Sequence, residues 1–276
     1  MAKSLQDKSV QALAASVTIL LVLTVLLQPC LSAPSTGRVK TTSSVVKAAQ
    51  KKPPVWHNPC GALPSGKSLG GHATRHVKPK SIKTVRQQFK ITMKHFRNNE
   101  KRILNLYTEV KESLGDQIKY DWLPQDQFLW YWNEVRNIND KPQKMAMVLK
   151  EFHSSLQEIL ITFLEMKKFN LEHNEPLHKI RTKLITEMSN KVKQLLCEAE
   201  NAILNESVGL PDRHTTDIVA WDPNPDHTTV LVQDWGVFAL YKNFLQNWQC
   251  IMDDLMSKTK RKLALKMCRP LLKTRN

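Results

Sequence analysis

Asn170-Leu171-Glu172-His173-Asn174-Glu175-Pro176 is the stretch whose reading decides the fold of this chain. Asn174 is a good helix cap and Pro176 suits the first turn of a helix. An apolar helical pattern runs up to about Asn170, so one helix ends and another begins with only Leu171 to His173 between them. A link that short forces the two helices to lie antiparallel as neighbours.

Upstream of the link, a helix opens at Asp140 with Pro142 in its first turn. It carries Met145, Leu149, Phe152, Leu156, Ile159, Phe163 and Met166 on one stripe. Downstream, Leu177, Ile180, Leu184, Met188, Val192, Leu195, Ala199 and Ala202 recur at three or four to about Asn205. Further out, Ile82, Val85, Phe89, Met93, Phe96, Ile103, Tyr107, Val110 and Leu114 predict a first helix over Ser81 to Leu114, with Gly115 as its stop. Phe238, Tyr241, Leu245, Trp248, Met252 and Leu255 predict a fourth, starting near Val230.

The first connection holds about 26 residues and the third about 24, against three in the middle. A helix of about 28 residues is about 42 Å long, so a link returning along it needs at least about 13 extended residues. Both long connections clear that length. Long, short, long is the pattern of an up-up-down-down bundle with two crossover connections. The aromatic group Trp122, Phe128, Trp130, Tyr131 and Trp132 in the first connection predicts a short extra helix packed on the core.

Composition agrees with an all-α fold. Of the 8 glycines, five lie between Gly37 and Gly71, and only Gly115, Gly209 and Gly236 follow His72. Doubly wound α/β enzymes and β-sandwiches need many more turn glycines. With 276 residues there is ample chain for a core.

The amino terminus reads as an address. A short polar start with Lys3 and Lys8 precedes an uncharged apolar run from Ala12 to Leu27, then Cys30 and Ser32 at small-residue positions. That is the layout of a secretory signal over residues 1–32, and it predicts a secreted, extracellular chain with no membrane insertion after cleavage. Removing Lys3, Lys8 and Asp7 from 41 basic and 25 acidic residues leaves 39 and 24, a net charge of +15. Residues 33–80, rich in Ser, Thr, Pro, Gly and Lys, read as a flexible basic tail, with an anchor at Val55 to Cys60, before a bundle domain over 81–276.

Cys60, Cys197, Cys250 and Cys268 remain in the mature chain, which suits two disulfides in an oxidising compartment. In the inferred topology the third and fourth helices are diagonal, which disfavours Cys197 with Cys250. Cys60 and Cys268 are therefore expected to take the two helical cysteines, in either order. Asn205-Glu206-Ser207 is a glycosylation sequon at a helix end.

Four long amphipathic helices with long first and third links, a signal and a few cysteines resemble the long-chain helical cytokines. Within them, a strongly basic chain with a long basic amino-terminal tail resembles the insect Unpaired ligands. That resemblance implies a signalling ligand of a JAK–STAT receptor, with no active site, that bridges receptor chains through faces of the first, third and fourth helices.

Two motifs invite other chemistry. Gly61-Ala62-Leu63-Pro64-Ser65-Gly66-Lys67-Ser68 matches the phosphate-binding loop letter for letter, but no buried strand precedes it and no helix follows it. His72 and His76, with Cys60 nearby, lack a second ligand pair for zinc. No catalytic, metal or cofactor residues are assigned, and carboxylate pairs such as Asp253-Asp254 read as solvated helix face.

The basic residues are better patterned. Lys83, Arg86, Lys90, Lys94, Arg97 and Lys101 recur at three or four along the first helix and form one cationic ridge. Lys258, Lys260, Arg261 and Lys262, with Lys266 and Arg269, form a second cluster at the pole where the first helix begins. In a secreted chain such a surface suits heparan sulfate or another extracellular polyanion better than nucleic acid. The resemblance to the helical cytokines implies a monomeric ligand of a cell-surface cytokine receptor. The alternatives are a basic matrix- or polyanion-binding protein without receptor activity, and a helical lipid carrier lined by Met145, Met147, Met166 and Met188.

Overall fold

The computed structural model describes residues 54–61, 81–115, 118–171, 174–222 and 224–256, together with Cys268 and Leu271. Among them every regular element is helical, so the fold is all-α. The elements are α1 (Ser81–Leu106), α2 (Thr108–Leu114), α3 (Gln127–Trp130), α4 (Lys141–Met166), α5 (Glu175–Asn205) and α6 (His227–Met256). A π turn, Tyr131–Val135, continues α3, and short 3-10 turns lie at Val55–His57 and Thr216–Ile218.

The helix starts follow local chemistry. The Asn174 side chain accepts a hydrogen bond from the Leu177 N–H at 3.1 Å, which caps α5 where the sequence placed it. Asp226 does the same for Thr229 at 2.6 Å, so α6 begins at His227, three residues before the expected start. The expected first helix is broken. Tyr107 leaves helical geometry at φ −118° and ψ 28°, dividing α1 from α2. The ladder is nonetheless carried across, because Tyr107 N–H donates to Ile103 O and Tyr107 O accepts from Lys111 N–H. Gly115, at φ +56°, ends α2 in the left-handed region where a Cβ is costly, and its N–H donates to the Lys111 carbonyl.

The apolar stripes meet in one core. Val85, Phe89 and Phe96 of α1, Leu149, Phe152 and Phe163 of α4, Leu184, Met188 and Leu195 of α5, and Phe238, Tyr241 and Trp248 of α6 are all buried in it. Neighbouring helices run antiparallel, as their contacts show. Along α1 and α5, Gln88 meets Gln194 and Arg102 meets Glu187. Between α1 and α6, Arg86 meets Asp253 and Tyr107 meets Asp234. Between α4 and α5, His153 lies 3.5 Å from Glu200, and Arg181 reaches the Met166 carbonyl. Between α4 and α6, the rings of Phe152 and Trp248 are 4.4 Å apart and those of Phe163 and Phe238 are 5.8 Å apart.

Both long connections travel the length of a helix. The first follows α6: Ile118 and Tyr120 lie on Gly236, the Phe128 N–H donates to Asn247 Oδ1 at 3.0 Å, and Tyr131 OH donates to Asp254 at 2.7 Å. Gly236 sits inside a helix because a Cβ there would meet Ile118 Cγ2 and Tyr120 Cε2 at 2.5 Å. The second connection follows α4. Gln157 donates to Asp212 O, His214 lies 2.7 Å from Ser154, and Trp221 packs on Phe169. Met166 and Met188 are fully buried in the core, while Met145 and Met147 pack at its margin.

Disulfides join Cys60 to Cys197 and Cys250 to Cys268. The first fixes the 54–61 segment against α5. There Trp56 is buried, and its indole N–H donates to the His214 carbonyl at 2.9 Å. Asp254 is not a solvated carboxylate. It is 3% exposed, accepts from Tyr131, and lies 3.5 Å from Arg136 Nε. Asp253 keeps contact with solvent and pairs with Arg86 at 3.1 Å.

Candidate functional site

The cationic residues of α1 lie on the side that faces α6. With Val85, Phe89 and Met93 turned into the core, the helical period sets the residues one place further on, Arg86, Lys90 and Lys94, about 100° round the helix and out of it. Lys83, Lys90, Lys94, Arg97 and Lys101 are exposed, and Arg86 is half-buried. The structure does not leave the ridge uniform. Arg86 spends its charge on Asp253 at 3.1 Å, whereas Arg97 donates to the neutral Gln249 side chain, also at 3.1 Å. Higher up, Lys242 of α6 pairs with Glu100 of α1 at 2.6 Å. Among the described residues, Lys90 and Lys94 have no ion-pair partner.

Between Arg86 and Arg97 the two helices part to leave a cavity of about 240 Å³. Phe89 and Met93 of α1 and Met252 of α6 form its apolar floor; Lys90 and Lys94 stand on its rim. The Arg86 Nε at its edge is buried without a hydrogen-bond partner. The sequence read Phe89, Met93 and Met252 only as core, because a stripe cannot show where two neighbouring helices fail to close. Lys258, Lys260, Arg261 and Lys262 lie outside the described residues, as do His72, His76 and all of the phosphate-loop match but Gly61.

On the α1–α5 face, Ile91 is an exposed apolar side chain. Nearby His95 is held below its ordinary value by burial, with the Lys191 and Arg102 charges adding to that and Glu187 opposing it. Asn205, the sequon residue, is exposed at the carboxyl end of α5. No group of three or more His, Cys, Asp or Glu among the described residues could hold a metal, and Cys60 is bound in a disulfide. Among the described residues no helix is long and apolar enough to cross a membrane.

A second polar cluster escaped the sequence altogether. Arg213, in the second connection, donates to both carboxylate oxygens of Glu200, to the Trp56 carbonyl, and lies 3.4 Å from the buried His153 Nε2. Beside it, burial and then the Glu151 charge push Glu158 up to about 7. His214, 3.4 Å from Glu158, is pushed down, first by burial. The arrangement ties the amino-terminal segment, α4, α5 and the second connection together.

No curated protein and no solved structure matches the chain. The model of the Unpaired protein family, a family of signalling ligands of the JAK–STAT pathway, matches residues 35–233, from the basic amino-terminal region into α6. With that match covering most of the chain, the protein belongs to the Unpaired family.

Proposed function

We propose that this chain is a secreted ligand that engages a cell-surface receptor of the JAK–STAT type through exposed helix faces, as an up-up-down-down four-helix bundle with two crossover connections. The observation that carries the reading is the family match over residues 35–233. It is supported by the antiparallel contacts of α1 and α4 with both α5 and α6, which set α1 parallel to α4 and α5 parallel to α6. Two long connections that run along α6 and α4 support it further. The reading includes a signal over 1–32, a basic tail over 33–80, a glycan on Asn205, and a monomeric ligand. Nanomolar mature chain is expected to raise STAT phosphorylation rapidly and saturably in responsive insect cells. A folded, monomeric sample that leaves STAT unphosphorylated refutes this reading.

A second activity is favoured by the exposed cations of α1. We infer that Lys83, Arg86, Lys90, Lys94, Arg97 and Lys101, with Lys258, Lys260, Arg261 and Lys262, bind heparan sulfate and retain the ligand in extracellular matrix. Exposed lysines without counter-ions attract a polyanion at little desolvation cost, and the attraction falls with salt. Alanines at Lys90, Lys94 and Arg97 are expected to lower the salt at which the chain leaves heparin. An unchanged elution position would count against this activity.

A further inference from the structure

We propose that the cavity between α1 and α6 is a docking site for an acidic peptide segment bearing one apolar anchor side chain, presented by the receptor's extracellular part. The proposal rests on the reading of the chain as a receptor ligand and says which chemistry the receptor brings to this face.

Two observations lead to it. The floor is apolar, built from Phe89, Met93 and Met252, and these side chains are buried. A solvated lysine ridge needs no such hollow, and a sulfated polysaccharide has no apolar group to fill one. Among the described residues, the rim is cationic and without ion-pair partners at Lys90 and Lys94, while its carboxylate, Asp253, is already taken by Arg86. An incoming segment is therefore selected for negative charge, and a basic one is disfavoured. An anchor in an apolar pocket ringed by complementary charge is the usual anatomy of an energetically dominant contact.

The test separates floor from rim in the full mature chain. Variants Met93→Gln (polar floor), Met93→Leu (apolar floor kept) and Lys90→Glu with Lys94→Glu (reversed rim) are checked for wild-type thermal midpoints. Each is then assayed for STAT phosphorylation, for heparin elution salt, and for binding of two fluorescent peptides, Glu-Glu-Phe-Glu-Glu and Glu-Glu-Ser-Glu-Glu. Met93→Gln is expected to lose about ten-fold in signalling potency with heparin elution unchanged, and the reversed rim to lose both. Met93→Leu should behave as wild type. The phenylalanine peptide should bind wild type about five-fold tighter than the serine peptide, a preference that Met93→Gln abolishes.

The proposal is overturned if Met93→Gln signals as wild type does, if Met93→Leu loses as much as Met93→Gln, or if wild type binds the two peptides equally. Silence of wild type itself on cells refutes the receptor reading instead, and the peptide comparison then decides the cavity's chemistry alone.

Discussion

Arg181 offers the sharpest test of how the structure is held together. The residue is fully buried, and its guanidinium grips the Asp234 carboxylate of α6 with two nitrogens, one at 2.9 Å. The remaining donors reach the Phe169 carbonyl at 2.8 Å and the Met166 carbonyl at 2.7 Å, beyond and at the end of α4. Tyr107 OH donates to the same carboxylate at 2.9 Å. One side chain of α5 thus binds α4 and α6, and α1 joins through the tyrosine. Replacing it by the unbranched apolar Met (Arg181→Met) leaves Asp234 buried without its counter-ion, and a broken buried pair costs about 3–5 kcal/mol. In a domain of this size that is roughly 6–20 °C in Tm.

The pH dependence has a definite sign. Burial pushes the Asp234 carboxyl up, and in the native chain the Arg181 and Tyr107 contacts work against that rise. Without Arg181 it climbs further above its unfolded value. A carboxyl raised in the fold contributes stability that is present below its unfolded pKa and lost as pH rises through the folded one. The deficit of Arg181→Met relative to wild type should therefore widen from pH 4 to pH 8. Adding Asp234→Leu and Tyr107→Phe removes the stranded carboxylate and hydroxyl and should return part of the loss, the Met166 and Phe169 carbonyls remaining unserved. Urea unfolding with the disulfides intact, followed by far-UV circular dichroism, reads all of this. A single variant within about 1 kcal/mol of wild type at pH 7 would refute the assignment of this cluster as the junction of the helices.

Three further outcomes are expected. Gly236→Ala places a Cβ 2.5 Å from Ile118 and Tyr120, so overpacking of about 1–3 kcal/mol should outweigh the helix-propensity gain of about 1 kcal/mol, lowering Tm and altering the fluorescence of the adjoining tryptophans. In the chain-entropy account, serines at Cys60 and Cys197, which open a loop of 137 residues, should cost about 5 kcal/mol, against about 3 kcal/mol for Cys250 and Cys268, which span 18. Peptide mapping of the oxidised chain should show these two links and no 197–250 link. Glu158, raised to about 7 by burial and Glu151, makes a stability contribution present below the ordinary carboxylate range and lost as pH rises through about 7. Glu158→Gln should then be more stable than wild type by roughly 1–3 kcal/mol at pH 8 in urea unfolding, with the gap narrowing as pH falls and closed by about pH 4.

Helix existence was legible because periodicity is a local property. Asn174 caps α5 and Gly115 stops α2 for reasons contained within four residues, and the all-α class follows from the spacing of the stripes. The break at Tyr107 was not legible, since nothing in its neighbours disfavours helix there; its side chain is tied to Asp234, 127 residues away. The same limit explains Asp253 and Asp254, which read as solvated acids until Arg86, Tyr131 and Arg136 came beside them.

By itself, then, the sequence determined where the helices lie, which faces they bury, and that the connections are long, short and long, since each depends on residues close along the chain. Only the tertiary structure decided which cysteines join, which charges are spent in pairs, and where the facing stripes of α1 and α6 leave a hollow beneath unpaired lysines. Those outcomes depend on distances between side chains far apart in sequence, and no local pattern encodes such distances.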